Sequence, residues 1–216
     1  MNAIFVNGLS GKMGAAIKNL VLDDSDFKIV KKLIDSDLII DFSRPESTML
    51  LLQEAEEHSI PLIIGTTGFS EVEVNLIERA SKKIPIVLSY NMSKGIHYLK
   101  KNIKKFLENN SDSFECKIIE THHTEKVDAP SGTSIELKKF IELNNNQKHV
   151  TIIEIESKRI LDVFGIHEII FSNHSDKISF KHEALSRNIF ATGALHIAKL
   201  INGKSPGIYS VQDFFR

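Results

Sequence analysis

The chain has 216 residues, of which 42% are hydrophobic and 25% charged, and its formal net charge is -1. This balance is typical of a globular protein with one large or two small domains, and it gives no reason to expect a nucleic-acid partner. No stretch approaches the roughly 18 apolar residues that span a bilayer, and the first residues predict no signal peptide. The single cysteine, Cys116, excludes an internal disulfide. We therefore expect a cytoplasmic protein without a membrane partner.

The first part of the chain alternates short apolar runs with helical patterns. The predicted strands lie at 3–6, 27–30, 38–42, 60–64 and 84–88, and the predicted helices lie at 15–22, 45–58 and 71–83. This alternation predicts a parallel sheet with helices on both faces. Residues 31–37 span at most roughly 24 Å when extended, which is too short for a crossover helix. We therefore expect that helix to be missing, so that one face of the sheet is partly bare there.

After a helical pattern at 96–107, the hydrophobic periodicity of the sequence changes from helical to strand-like. Four stretches then alternate apolar and polar residues, and one helical stretch interrupts them near 132–143; the strands are predicted at 114–123, 150–160, 166–173 and 177–184. They predict an antiparallel or mixed sheet in a second α+β domain. The tail returns to a helix that we expect to pack on the first domain. The predicted domains are 1–93 with 188–216, and 94–187.

A glycine-rich turn follows the first predicted strand. Gly8, Gly11 and Gly14 precede a helix, which is the arrangement in which backbone N–H groups bind a pyrophosphate. The same spacing also occurs by chance in ordinary turns. The turns at 65–69 and 90–93 each follow a buried strand, so parallel strands would bring them to the same crevice as the glycines.

If the glycine turn binds a dinucleotide, the choice between NADH and NADPH depends on the residues after the second strand, which would lie near the ribose. Asp35 is the nearest acid, and it either holds the ribose hydroxyls or only forms a turn. Lys31 and Lys32 either meet a 2′-phosphate or are solvated. We expect the protein to use both NADH and NADPH, with a modest preference for NADPH.

The stretch "ETHHTEKVDAPSGTS" at 120–134 is a polar loop, a metal site or a catalytic centre. Adjacent histidines on a strand point to opposite faces, which disfavours a shared metal at His122 and His123. An imidazole moves protons near neutral pH, and Lys126 could bind an anion. The Pro-Ser-Gly-Thr turn at the start of a helix could hold a carboxylate. Arg187 is a second candidate for binding a substrate carboxylate, although it could equally form a surface salt bridge.

These motifs occur together in one known family. The chain resembles the dihydrodipicolinate reductases (4-hydroxy-tetrahydrodipicolinate reductases), and the similarity spans essentially its whole length. The resemblance rests on the glycine turn at 8–14 and on "IDFSRPE" (40–46), "IGTTGF" (64–69), "YNMSKG" (90–95), "ETHHTEKVDAPSGTS", "SR" (186–187) and "GKSPGIYS" (203–210).

The resemblance implies an enzyme of lysine and diaminopimelate biosynthesis that reduces dihydrodipicolinate to tetrahydrodipicolinate with NADH or NADPH. It implies a Rossmann domain and a mixed-sheet substrate domain that also builds a homotetramer. His122 resembles the general acid/base, and Lys126 resembles its partner. The implied contacts to the dicarboxylate substrate are His123, Ser131, Gly132, Thr133 and Arg187. The implied contacts to the cofactor are Gly8, Ser10, Gly11, Lys12, Met13, Gly65, Thr67, Asn91, Met92 and Ser93.

The chain departs from the family at three points. Lys12 stands where the family typically has arginine, the loop after the second strand is shortened, and Arg159 lacks the glycine that often follows it. Another two-domain Rossmann oxidoreductase, such as an amino-acid dehydrogenase, would share the glycine turn but not the histidine motif. A non-catalytic dinucleotide sensor would have no use for His122, Lys126 and Arg187 together.

Overall fold

The computed structural model describes residues 1–146 and 148–215, which form two units. The first unit contains Met1–Ser93 and the returning segment from Arg187 onward, and the second contains Lys94–Ser186. Arg187, which the sequence places at the end of the second domain, is thus the first residue of the returning segment.

The elements follow one another in this order. The first unit begins with β1 (Asn2–Asn7), α1 (Lys12–Leu22), β2 (Phe27–Ile29), β3 (Leu38–Asp41), α2 (Pro45–Glu57), β4 (Leu62–Ile64), α3 (Glu71–Ala80) and β5 (Pro85–Leu88). The second unit contains α4 (Lys94–Asn109), β6 (Phe114–His122), α5 (Gly132–Asn144), β7 (Val150–Arg159), β8 (Gly165–Ser172) and β9 (Lys177–Ala184). The returning segment forms α6 (Asn188–Ile201) and β10 (Gly207–Tyr209).

The first unit contains a parallel sheet with the strand order β10-β5-β4-β3-β1-β2, which confirms the predicted Rossmann-like α/β class. The connection from β2 to β3 contains only the 3-10 turn Leu33–Asp35, so the predicted loss of a crossover helix is confirmed. Because β2 is the edge strand, this short link needs only to reach past β1.

Alternate residues of the strands pack into two different cores, as expected for a sheet that is covered on both faces. Ile40 packs in a cluster with residues of α1 and α6, including Ile17 and Ile197. Its neighbour Ile39 packs in the other cluster, with residues of α2 and α3 that include Leu52. The expectation that the tail returns as a helix to the first domain is therefore confirmed.

Two details of the first unit differ from the sequence prediction. Helix α1 begins at Lys12 rather than at residue 15, so Gly14 lies inside its first turn. The tail also adds β10, which pairs with β5 at the register Ile208↔Ile86. Sequence reasoning missed β10 because three residues are too few to display an alternation.

The second unit contains a mixed sheet with the order β7-β6-β8-β9, in which β6 pairs in parallel with β7 and antiparallel with β8. Ile118 and Phe171 on one face pack with residues of α4 and α5. The predicted second sheet is therefore confirmed, in its mixed form. None of the helices among residues 1–146 and 148–215 combines the length and apolar character needed to cross a bilayer.

Candidate active site

The glycine turn between β1 and α1 is shaped by close backbone contacts. Gly8 has a φ of 84°, and a Cβ placed there would lie 2.2 Å from the carbonyl oxygen of Phe42. A Cβ at Gly14 would lie 2.4 Å from the carbonyl oxygen of Gly8. Gly11 is the N-cap of α1 and has no side chain to cap the helix, so the positive end of the helix dipole faces the turn. These features fit the pyrophosphate of a dinucleotide.

The remaining predicted cofactor residues lie at the carboxyl ends of β1, β4 and β5, which are parallel. Ser10 and Lys12 are exposed, and Met13 packs partly on the core. A Cβ at Gly65 would lie 2.1 Å from the Phe42 ring, so this glycine also has a packing role. Thr67 is half-buried in the turn after β4.

The turn after β5 is organised by its own side chains. The Ser93 N–H donates to the Asn91 side-chain oxygen at 2.9 Å, and the Asn91 N–H donates to Ser89 Oγ at 3.2 Å. The Met92 side chain is buried in the core that α6 covers. Met92 can therefore meet a cofactor only through its backbone.

Sequence reasoning missed a buried carboxylate at the end of β3. Asp41 is fully buried and accepts four hydrogen bonds; the donors are Asn7 Nδ2 (2.9 Å), Ser43 Oγ (2.5 Å), Thr48 Oγ1 (2.5 Å) and Thr66 Oγ1 (2.9 Å). These donors come from β1, the link between β3 and α2, the start of α2 and the turn after β4. Asp41 thus joins the turns that surround the glycine loop. A signal was available in "IDFSRPE", where an acid ends an otherwise apolar strand.

In the second unit, His122 is the last residue of β6 and is backed by a buried acid. Its Nδ1 contacts Oε2 of Glu120, which lies two residues earlier on the same face of the strand and is fully buried. Burial acts to raise the pKa of Glu120, but hydrogen bonds from His122, Ser157 and Arg159 outweigh it and lower the pKa to about 2. Glu120 is therefore a carboxylate at neutral pH.

Lys126 lies in the loop that follows β6, together with the half-buried His123. The Lys126 Nζ pairs with Asp128 Oδ1 at 2.7 Å, and its side chain is 18% exposed. The Lys126 N–H donates to the His123 carbonyl at 3.1 Å, which closes a turn between the two residues. This turn therefore places Lys126 next to His123, directly after the end of β6.

The "PSGT" turn leads into α5, as predicted. Ser131 is the N-cap, and its Oγ accepts from the Ser134 N–H at 3.2 Å and contacts Ser134 Oγ at 2.9 Å. Gly132 opens the helix, and Thr133 is buried beside it. Because the Ser131 hydroxyl caps the Ser134 N–H, an anion at this turn would meet mainly the positive end of the α5 helix dipole.

Two further residues of this region were missed by sequence reasoning. The buried His167 on β8 lies with its ring centroid 5.1 Å from that of His122, and its Nε2 lies 3.4 Å from Ser131 Oγ. Burial, followed by the charge of His122, lowers the pKa of His167 to about 3, so this ring is neutral. A Cβ at Gly165 would lie 3.2 Å from His122 Nε2. The pattern "GIH" gave no sign of either contact.

The predicted site residues are divided between the two units. Arg187 lies in the first unit, at the N-cap of α6, whereas the histidine loop and the "PSGT" turn lie in the second. Within residues 1–146 and 148–215, no group of three or more His, Cys, Asp or Glu side chains is placed to hold a metal ion.

Comparison of the sequence with known protein families shows to which family this chain belongs. Residues 28–92 match the family model described as dihydrodipicolinate reductase, N-terminus, and residues 95–215 match the one described as dihydrodipicolinate reductase, C-terminus. The chain belongs to the dihydrodipicolinate reductase family. It is 37% identical to the 4-hydroxy-tetrahydrodipicolinate reductase of Rickettsia bellii, over 99% of this chain and 94% of that protein. It is 36% identical to that of Alkaliphilus oremlandii, over 97% of each.

A solved structure agrees with the fold of this dihydrodipicolinate reductase family member. The dipicolinate-bound dihydrodipicolinate reductase of Paenisporosarcina sp. TG-14 aligns with a TM-score of 0.74 at 18% identity, over 97% of each chain. The family uses a nicotinamide dinucleotide through its N-terminal Rossmann domain, and the glycine turn of this chain fits that group.

Proposed function

We propose that the chain reduces the dihydrodipicolinate ring, formed from 4-hydroxy-tetrahydrodipicolinate, to tetrahydrodipicolinate. Family membership supports the enzyme class that the sequence predicted, an NAD(P)H-dependent oxidoreductase of lysine and diaminopimelate biosynthesis. The observation that carries the proposal in this chain is the imidazole of His122, which is backed by a buried carboxylate and followed by Lys126 and an anion-binding helix start. Neither alternative, another two-domain Rossmann oxidoreductase or a non-catalytic dinucleotide sensor, would require this arrangement.

The bound nicotinamide supplies the hydride, and the residues of the chain bind the substrate and supply the proton. His122 is the proton donor: its Nδ1–H faces Glu120, so the imidazolium gives the substrate the proton on Nε2 and is left as the neutral ring protonated on Nδ1. Lys126 assists, since its ammonium group can exchange Asp128 for a substrate carboxylate. The first unit binds the dinucleotide, and the second supplies the proton donor and most of the substrate contacts.

The substrate's carboxylates are bound by cations and by helix N–H groups. We assign them to Lys126, Arg187 and the turn of Ser131, Gly132 and Thr133, with His123 as a further contact. The Paenisporosarcina relative carries dipicolinate, a planar dicarboxylate of this kind. Replacing Lys126 or Arg187 with methionine should raise the KM for substrate much more than the KM for cofactor.

Both NADH and NADPH serve as cofactor, with a modest preference for NADPH. Asp35 lies exposed in the 3-10 turn after β2, and Lys31 and Lys32 are exposed just before it. Exposed charges of this kind contribute about one kcal/mol each, or roughly fivefold in affinity. A preference of this size should shrink at high salt, because solvent ions screen the lysines.

The assembly is a homotetramer built on the second unit. The face of its sheet opposite α4 and α5 carries Ile119, Ile166 and Ile170 near one another, with Ile152 on β7 and the Lys117–Glu156 ion pair on the same face. No element among the described residues of the second unit covers this face, and Ile152 is 48% exposed. A second copy could bury it, and Ile170→Glu should then shift the mass measured by light scattering to smaller species. The single cysteine and the absence of a predicted signal peptide also lead us to propose a cytoplasmic location.

The decisive experiment couples the purified chain to a synthase that makes 4-hydroxy-tetrahydrodipicolinate. Oxidation of the pyridine nucleotide should require both the synthase product and this chain. His122→Gln is the matched control, because it keeps the size and polarity of the side chain but removes the acid. Oxidation that continues unchanged without the synthase product would refute the proposed substrate.

A further inference from the structure

Glu120 is a buried acid next to the proposed proton donor. It lies on β6 with no exposed surface, and its Oε2 contacts His122 Nδ1. An ionised carboxylate only accepts hydrogen bonds, so the proton at this contact must be on the imidazole Nδ1. The neutral form of His122 is thereby restricted to one tautomer, whose Nε2 is free of a proton.

Gly165 leaves room at that nitrogen. A side chain at residue 165 would begin 3.2 Å from His122 Nε2 and 3.4 Å from its Cδ2. Gly165 is the first residue of β8, and its φ gives no reason of its own for a glycine. The space beside Nε2 is therefore a reason to keep this position without a side chain.

Arg159 joins the acid to the loop that carries Lys126. Its Nη1 donates to Glu120 Oε1 at 2.9 Å, its Nε to the Lys126 carbonyl at 3.3 Å, and its Nη2 to the Asp128 carbonyl at 2.5 Å. Arg159 pairs directly with His122 across β6 and β7. One planar guanidinium thus fixes both the acid behind His122 and the backbone at Lys126, which a lysine could not do with a single ammonium group.

We propose that Glu120 and Arg159 are positioning residues of the reductase. Glu120 keeps one proton of His122 on Nδ1, so that the imidazolium gives its other proton to the substrate from Nε2, and Arg159 fixes the Lys126 loop relative to that imidazole. The proposal rests on the proposed function, since it gives His122 and Lys126 their roles. The alternative is that Glu120 and Arg159 form a buried ion pair that only stabilises the second unit.

The chain contains a matched control for that alternative. Lys100 on α4 and Glu136 on α5 form another ion pair in the second unit, at 2.5 Å, in which the Lys100 side chain is 8% exposed. Glu136→Gln should lower the thermal midpoint. It should leave kcat, both KM values and the ring protonation of His122 unchanged.

The first measurement is the nitrogen NMR spectrum of ¹⁵N-histidine-labelled protein at mildly alkaline pH, with the His122 signals assigned from their loss in His122→Gln. In the wild type, Nδ1 should carry the proton and Nε2 should not; the reverse pattern overturns the proposal whatever Glu120→Gln does. In Glu120→Gln, an amide can donate to Nδ1, so a substantial share of the ring should carry its proton on Nε2. An unchanged ring overturns the role of Glu120.

The second measurement is steady-state kinetics. Glu120→Gln should lower kcat roughly 10²-fold or more with little change in either KM, as expected when an orienting acid is lost. A kcat within about threefold of wild type overturns the proposal. A wild-type protein without turnover would instead refute the proposed function, while the spectra still decide the contact with Glu120.

Arg159→Lys tests the second half of the proposal. It keeps the positive charge but loses the fork of donors, so the KM for substrate should rise and kcat should fall, each by about tenfold. The KM for cofactor and the tautomer of His122 should stay as in the wild type. Unchanged values of kcat and of the KM for substrate would remove Arg159 from the proposed role.

Discussion

Replacing Asp41 with asparagine should destabilise the first unit, although the two side chains have nearly the same shape. Each carboxylate oxygen of Asp41 accepts two hydrogen bonds, and an amide can replace only one of the two oxygens. The amide nitrogen would best face the Thr48 and Thr66 hydroxyls, because the Asn7 side-chain N–H group on the other side cannot turn into an acceptor. Two of the four bonds to the charged acceptor are lost in either orientation.

The size of the effect follows from these contacts. A hydrogen bond to a charged group contributes about 1.5–3 kcal/mol, so two contribute roughly 3–6 kcal/mol. The hydroxyls can rotate to accept from the new amide, and a neutral group is easier to bury, so we expect a net loss of about 2 kcal/mol. For a chain of this length, that corresponds to a fall in Tm of about 4–8 °C.

Thermal denaturation followed by circular dichroism measures this effect, and steady-state kinetics add a second reading. Because Asp41 joins the turns around the glycine loop, the KM for cofactor should rise several-fold while the KM for substrate stays constant. Asp37→Asn is the matched control: Asp37 is exposed and accepts one hydrogen bond, from the Ala3 N–H at 2.7 Å, which an amide oxygen can also accept. A loss below about 0.5 kcal/mol for Asp41→Asn would refute this account of the network.

Three further predictions concern the proposed site. His122→Gln should fold and bind cofactor but lose roughly two to four orders of magnitude in kcat, and a near-normal kcat would contradict its role as proton donor. Gly14→Ala should raise the KM for cofactor, because the new methyl group would lie 2.4 Å from the Gly8 carbonyl oxygen; an unchanged KM would mean that the turn adapts. The pKa of His167 is lowered from 6.5 to about 3, so its contribution to stability is present above pH 6.5 and is lost as the pH falls toward 3. The free energy of unfolding of His167→Gln, measured by denaturant titration across this range, should therefore vary less with pH than that of the wild type, and equal slopes would contradict the shift.

The sequence by itself determined the local order of the chain. Short, wholly apolar runs such as residues 60–64 predict central strands. The alternation of side chains along β6 places Glu120 and His122 on the same face of the strand. The short reach of residues 31–37 predicted the missing crossover helix. The adjacent histidines, Lys126 and the "PSGT" turn were recognisable because their order along the chain is itself the motif.

Only the tertiary structure decided which distant residues complete these motifs. Arg159 reaches Glu120 because β7 pairs in parallel with β6, and no local pattern specifies that pairing. Gly165 and His167 lie beside His122 because β8 pairs with β6 on its other side. Strand pairing depends on the packing of the whole sheet rather than on the residues of one strand. For this reason the sequence alone led to the proposal that His122 is the proton donor, whereas the contacts of Arg159, Gly165 and His167 with this region were found only after the fold was known.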